Sequence, residues 1–406
     1  MTLNSPQASF RKPVYLDYAA STPVAPQVAA KMAECLTREG NFANPASRSH
    51  VFGWQAEEAV ENARAQLAAL VGADTREIVW TSGATEANNL ALKGVAEAHR
   101  SQKSTNDEKL GHIVVSAIEH KAVLDPIAWL EEQGFSVTRL QPTNEGIITP
   151  ENLQDALRDD TFLVSLMQVN NELGSINDIK ALSALCKTRG ILFHCDAAQG
   201  VGKIAVNVKD LNVDLLSISG HKFYGPKGIG ALYVRRSGDV KIAAQIHGGG
   251  HERNMRSGTL ATHQCVGIGE AAELAQSSLD DEQRRIAELR DLLWQGISDL
   301  PNIKRNGSSS QTVSGILNVS FANDVSQGCD GEMLLLSLRD LAVSSGSACN
   351  SASMSPSYVL KAIGLNDVEA QASLRFSVGR YTTREEIEFA IEHIRATVTK
   401  LLRTQI

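Results

Sequence analysis

From about residue 50 to residue 235, short apolar runs alternate with segments whose apolar residues recur at helical spacing. This alternation is what most narrows the folds open to the chain. Strands separated by helices do not pair as hairpins; they line up in a mostly parallel sheet that helices cover. The strand candidates are Glu77–Trp80, His112–Ala117, Phe162–Val169, Ile191–Asp196, Leu215–Ser219 and Gly230–Val234. Gly53–Gly72 reads as a helix, with Val60, Ala63, Leu67 and Leu70 on one stripe and Gly72 as its stop. The polar stretch Ser101–Lys109 reads as a surface loop.

A strongly helical tract from about Gln264 to Leu300 follows, with Ile286, Leu289, Leu293 and Ile297 on one stripe and Pro301 ending it. Beyond it, the strands Ile316–Phe321 and Leu374–Val378 alternate with the helices Gly331–Arg339 and Arg384–Val398. This is a second α/β unit, completed by the N-terminal segment. The length of 406 residues suits two domains. The expected division is a large domain over 15–265 and a smaller one formed by 1–14 and 266–406, joined by the helix from about 264.

Charge is mildly acidic, −7, with Lys and Arg dispersed, so nothing favours a nucleic-acid partner. There is no apolar run of about eighteen residues to span a membrane. The N-terminal residues 1–12 lack the basic-then-apolar pattern of a secretory signal, and the expectation is a cytoplasmic protein. The six cysteines form no C-x-x-C pair, which argues against both a disulfide framework and a metal site. Cys35, Cys186 and Cys195 read as small apolar core residues.

In open α/β sheets ligands collect beyond the carboxyl ends of the strands, where loops and helix N-termini converge. The unusual polar clusters of this chain fall there. After Glu77–Trp80 comes Thr81-Ser82-Gly83-Ala84-Thr85-Glu86, a turn into a helix whose free N–H groups could hold a phosphate or could form an ordinary cap. After His112–Ala117 comes Glu119-His120-Lys121, where the imidazole is either a loop histidine or a ring stacked on a cofactor and moving protons. Asn170-Asn171-Glu172-Leu173-Gly174 could donate to a ring hydroxyl or simply turn. Asp196 ends an apolar strand, a costly place for a carboxylate unless it pairs with a cation such as a pyridinium or caps the next helix. Lys222 stands in Ser219-Gly220-His221-Lys222, between a buried strand and the glycine-rich 225–230. Such a lysine is either a surface residue of a glycine loop or, fenced by small residues that leave room for a planar ring, the anchor that a Schiff-base cofactor such as pyridoxal phosphate requires.

With these residues assembled, the chain resembles the cysteine desulfurases of the IscS/NifS type, within the class V aminotransferases. The resemblance runs from Tyr15-Leu16-Asp17-Tyr18-Ala19-Ala20 to about Arg380-Tyr381-Thr382-Thr383. It includes Asn44–His50, Thr81–Glu86, Ser219–Gly230, His247–Thr259 and Ser344-Ser345-Gly346-Ser347-Ala348-Cys349. It implies fold-type I: a large domain with a mostly parallel seven-stranded sheet, plus the smaller α/β domain. It also implies pyridoxal 5'-phosphate carried on Lys222, with Asp196 against the ring nitrogen, His120 stacked on the ring, and Gln199 and Asn171 on the ring-hydroxyl side. Ala84, Thr85, Ser219 and His221 would hold the phosphate, joined by Thr259 of a neighbouring subunit in an obligate homodimer. Arg375 and Asn171 would bind the substrate carboxylate.

By the same resemblance Cys349 is the sulfur acceptor. Its flanks are small and polar, so that loop has little to bury and can move. At an ordinary thiol pKa near 8.5, about 3% is thiolate at neutral pH, so a dedicated base is not obligatory. The implied reaction converts L-cysteine to L-alanine with a persulfide on Cys349. Lys222 is the base at the α-carbon, and His120 is the candidate proton donor or acceptor. Iron–sulfur assembly and tRNA thiolation are the implied uses of the sulfur. Relatives that serve an iron–sulfur scaffold usually continue into a docking extension, whereas this sequence ends at Ile406. A selenocysteine lyase or another class V aminotransferase would share the cofactor site but an aminotransferase would not need Cys349, and an inactive scaffold protein would need none of Lys222, Asp196 and Cys349.

Overall fold

The computed structural model describes residues 12–103, 110–236, 238–324, 327–328, 331–345 and 356–404. Cys329, Cys349 and most of the stretch read as the loop Ser101–Lys109 lie outside the described residues. The chain opens with β1 (Val14–Tyr15), α1 (Pro26–Ala33) and α2 (Val51–Val71). It continues through β2 (Ile78–Thr81), α3 (Ala84–Ser101), β3 (His112–Ser116), α4 (Lys121–Glu132), β4 (Ser136–Leu140), α5 (Pro150–Ala156) and β5 (Thr161–Ser165). Then come α6 (Ile179–Thr188), β6 (Leu192–Asp196), β7 (Leu215–Ser219), β8 (Gly230–Val234) and the long α7 (Thr262–Ile297). The remainder is β9 (Lys304–Asn306), β10 (Ile316–Ser320), β11 (Ala322–Asp324), β12 (Gln327–Gly328), α8 (Gly331–Ser337), β13 (Leu341–Ala342) and β14 (Ser344–Ser345). It closes with α9 (Tyr358–Ala362), α10 (Asp367–Gln371), β15 (Ser373–Ser377) and α11 (Arg384–Thr404).

Seven strands form the main sheet in the order β2-β8-β7-β6-β5-β3-β4. Only β8 runs against its neighbours, so the carboxyl ends of β2, β7, β6, β5 and β3 share one edge. Its central strands are buried throughout, as their unbroken apolar runs require when helices cover both faces. The seventh strand, β4, has no candidate among the sequence-read strands. It lies at the sheet edge, half-exposed and partly polar, so it lacks the apolar run that marks the others. The run read as Phe162–Val169 is in the sheet only over Thr161–Ser165; beyond it the chain bends toward the site, and Val169 bridges Ile176 instead. The helix read as Gly53–Gly72 is α2, and its stop is as expected: Gly72 adopts φ 69° just past the last turn.

α7 carries apolar residues into two cores. Cys265, Ile268, Ala272 and Ala275 pack under the main sheet, while Ile286, Leu289, Leu293 and Ile297 pack with the second, antiparallel sheet of order β14-β15-β10-β9. Val14 and Leu16 join that second core, and β1 pairs in parallel with β13. Cys35, Cys186, Cys195 and Cys265 are all buried.

The outer edge of β2 is closed by side chains rather than by another strand. Glu252 accepts from the Trp80 N–H at 2.8 Å and takes both guanidinium nitrogens of Arg64 at 2.7 and 2.9 Å. Both side chains are only 4% exposed. Removing one member of such a pair strands a buried charge. Glu252→Ala is therefore expected to cost about 3–5 kcal/mol, read as a lowered urea midpoint, whereas a change below about 1 kcal/mol would show the edge to be closed by other contacts.

Candidate active site

The carboxyl edge of the main sheet opens on a cavity of about 490 Å³. The chain folds this way locally because each parallel strand ends in a tight turn. After β2, Gly83 takes φ 155°, and a Cβ on the facing Gly230 would lie 2.7 Å from the Gly83 Cα. The missing side chain at Gly230 lets β8 and this turn approach so closely, while Gly83 supplies the positive φ of the turn. The turn leads into α3, whose first residues Ala84 and Thr85 line the cavity, and no side chain caps that N-terminus. Uncapped N–H groups at a helix start suit an anion such as phosphate.

Lys222 ends a 3₁₀ turn directly after β7. Its Nζ donates to the carbonyls of Ala19 and Ala20 at 2.8 and 2.9 Å, which hold the amine at the cavity wall. Ser219 and His221 flank it on the same wall. His221 Nδ1 lies 3.2 Å from Ser21 Oγ. Burial, then the Lys222 charge, pushes that imidazole down to about 4, so at neutral pH it is an uncharged hydrogen-bonding group.

Asp196, at the end of β6, lines the cavity with both oxygens engaged. Oδ2 accepts from Asn88 Nδ2 at 2.7 Å and Oδ1 from the Ala198 N–H at 3.0 Å. The carboxylate thus both caps the following turn and presents charge to the cavity. His120 is the N-cap of α4, and its Nδ1 accepts from the Ala122 N–H at 3.0 Å. That bond leaves the ring proton on Nε2, and burial lowers the imidazole pKa further below its ordinary value. Gln199 and Asn171 also line the cavity. Asn171 Oδ1 is buried and has no hydrogen-bond partner among the described residues. A buried acceptor left open is costly unless a ligand meets it.

Arg375, on β15, reaches in from the second sheet. One Nη donates to the Asn171 carbonyl at 2.8 Å; the other donates to Asp17 Oδ1 at 2.8 Å and to Ser344 Oγ at 2.9 Å. On the far side of the Cys349 segment, Ser357 donates to Glu172 Oε2 and the Tyr358 hydroxyl to the Glu119 carbonyl, both at 2.6 Å.

The structure thus brings Ala84, Thr85, His120, Asn171, Asp196, Gln199, Ser219, His221, Lys222 and Arg375 to one cavity. Thr259 is not among its lining residues; it is exposed elsewhere on this chain. Cys349 is outside the described residues. Asn88, Asp17 and Lys203 were missed by sequence reasoning. Asn88 carries a legible signal, being a polar residue on the buried face of a helix, whereas Asp17 and Lys203 look like ordinary charged residues until the fold turns them inward. The donor set fits pyridoxal phosphate: a covalent anchor amine, a carboxylate for a cationic ring nitrogen, an open acceptor on the ring side, and an uncapped helix start for the phosphate. No group of three or more metal-ligating side chains is present among the described residues.

A family model described as "Aminotransferase class-V" matches residues 14–389. Over 389 residues, 96% of this chain and 93% of the relative, the sequence is 59% identical to a cysteine desulfurase IscS of Shewanella baltica. It is 58% identical, with the same coverage, to the cysteine desulfurase IscS of Stutzerimonas stutzeri. Among solved structures, a NifS-like protein superposes with a TM-score of 0.86 at 34% identity, covering 96% of this chain and 100% of that one. A structure titled "SspA in complex with cysteine" gives 0.79 at 40% identity, covering 91% and 100%. The chain belongs to the pyridoxal-phosphate-dependent class-V aminotransferase family, in its cysteine desulfurase branch.

Proposed function

We propose that the chain removes sulfur from L-cysteine, leaving L-alanine and a persulfide on Cys349. The observation that carries the reading is the Lys222 amine, held by the Ala19 and Ala20 carbonyls in the cavity that Asp196 lines. Lys222 would hold the cofactor covalently, Asp196 would face its ring nitrogen, and His120 would stack on the ring. Gln199 and Asn171 would meet the ring hydroxyl side, while Ala84, Thr85, Ser219 and His221 would take the phosphate. Bound pyridoxal phosphate supplies an electron sink for charge developing at the substrate α-carbon.

The chain's own residues would do the rest. Arg375 presents a planar fork of donors to the substrate carboxylate, helped by Asn171. Lys222 Nζ takes the proton from the α-carbon and later returns it. His120, neutral with its proton on Nε2, can give that proton and recover it. Cys349 Sγ attacks the substrate sulfur: the new S–S bond forms as the C–S bond breaks, and its electron pair stays with carbon to be protonated as alanine. Ser344 on one side, and Ser357 and Tyr358 on the other, are tied to the cavity or beside it. With four residues between Ser344 and Cys349, chain length keeps the Cys349 Cα within roughly 17 Å of the Ser344 Cα. This supports its role as acceptor.

The exposed position of Thr259 supports a homodimer in which it completes the phosphate site of the neighbour. Sulfur-acceptor proteins, such as an iron–sulfur scaffold, and a cytoplasmic location complete the reading. Among the described residues no helix is long and apolar enough to cross a membrane. The two apolar cores that α7 links support a division into 15–265 and 1–14 with 266–406. The test is incubation of the purified protein with L-cysteine and a dithiol reductant. Sulfide and alanine should form in equal amounts. Keto-acid formation without sulfide would overturn the reading in favour of transamination.

A further inference from the structure

Lys203 is half-buried, seven residues beyond the end of β6 by way of the Ala197–Lys203 turn, and the proposed reaction leaves it without a task. Its ammonium donates to Gln199 Oε1 at 2.5 Å. Among the described residues no carboxylate pairs with it. A lysine drawn out of water onto a single neutral acceptor is costly to hold, so its position calls for a reason.

The geometry around Gln199 supplies one. Its Nε2 donates to the Ala19 carbonyl at 2.8 Å, the same carbonyl that accepts from Lys222 Nζ at 2.8 Å. An ammonium can only donate and a carbonyl can only accept, so the carboxamide has one permitted orientation. Oε1 faces Lys203, Nε2 faces Ala19, and the second Nε2 proton remains for the cavity that Gln199 lines. Other groups facing the Lys203 ammonium sharpen the point. Lys222 and Arg375 oppose it electrostatically, and it in turn opposes protonation of His221. Across a small neighbouring cavity stand Tyr18, Tyr224 and Glu282, the last already paired with Arg380 at 2.6 Å. Burial, then Lys222 and Arg375, push the Lys203 ammonium down to about 7. A cation so placed gains most from an anionic oxygen arriving beside Gln199.

We propose that Lys203 is a positioning residue: it locks the Gln199 carboxamide with an N–H toward the cavity, and its unpaired charge favours an anionic ring oxygen on the cofactor there. The inference rests on the cofactor reading above. Through the shared site, the same charge opposes a proton on the Lys222 nitrogen joined to the cofactor.

The experiment is a pH titration of the visible absorbance of the holoenzyme for the wild type, Lys203→Met, Lys203→Gln and Lys203→Arg. With the opposing charge removed, Lys203→Met and Lys203→Gln should shift the midpoint upward by on the order of one pH unit, and Lys203→Arg should stay near the wild type. Lys203→Gln, which keeps a donor for Gln199, should lose cofactor on dilution more slowly than Lys203→Met. Midpoints within ~0.2 pH unit of the wild type in both neutral variants overturn the proposal. If neither neutral variant folds while Lys203→Arg folds and titrates normally, the requirement for charge stands; if all three fail to fold, the lysine is structural and the proposal falls. A wild-type protein with no visible band would instead defeat the cofactor reading itself.

Discussion

Lys222→Ala is expected to abolish the visible absorbance of the purified protein in amine-free buffer and to cut sulfide release from L-cysteine by at least roughly 10²- to 10⁴-fold, the contribution of a positioned acid–base group. The amine has no substitute nearby. Lys203 is engaged by Gln199, and Lys227, although it lines the same cavity, sits on the glycine turn at an exposed position. The Ala19 and Ala20 carbonyls aim the Lys222 nitrogen, so the loss removes both the covalent anchor and the base. Because those partners are backbone atoms of a neighbouring loop, the fold should survive the substitution. A variant with an unshifted visible band and near-normal turnover would remove the basis of the functional reading.

The second large effect belongs to Cys349→Ser. Persulfide labelling of the protein should fall to background and alanine formation should drop at least roughly a hundredfold, since a hydroxyl offers neither a thiolate nor a sulfur to accept sulfur. The spectral response to added L-cysteine should remain, because the cofactor site is untouched. Other thiols are poorly suited to compensate. Cys35, Cys186, Cys195 and Cys265 are buried. Burial pushes Cys186 and Cys265 up to about 12, and Cys195 well above its ordinary value. Cys329→Ser serves as the control and should label like the wild type. Persulfide persisting in Cys349→Ser but lost in Cys329→Ser would move the acceptor to Cys329.

Where a residue's environment is made by its own neighbours in sequence, the reading from sequence was close to the structure. β7 and β8 are bounded as their apolar runs suggested, and Gly72 ends α2 because a left-handed residue is needed there. Lys222 stood out since the small residues around it are adjacent in the chain. The failures have a common cause. β4 gains its place by pairing with β3 at an edge, where polar residues are tolerated, and Phe162–Val169 stops being strand at Ser165 although its hydrophobicity continues to Val169. Hydrophobic pattern reports burial, and burial is not confined to sheets.

From the sequence alone came the alternation that dictates a mostly parallel sheet, the strand-end clusters, and the chemical types gathered there, since these depend on local periodicity and residue identity. Tertiary structure alone decided how charge is balanced inside the site. Asn88 reaches Asp196 across 108 residues, Asp17 reaches Arg375 across 358, and Lys222 and Gln199 meet at the one carbonyl of Ala19. Electrostatic energy and hydrogen-bond direction depend on distances in space over a few ångströms, and those distances exist only once the strands have set their order and register.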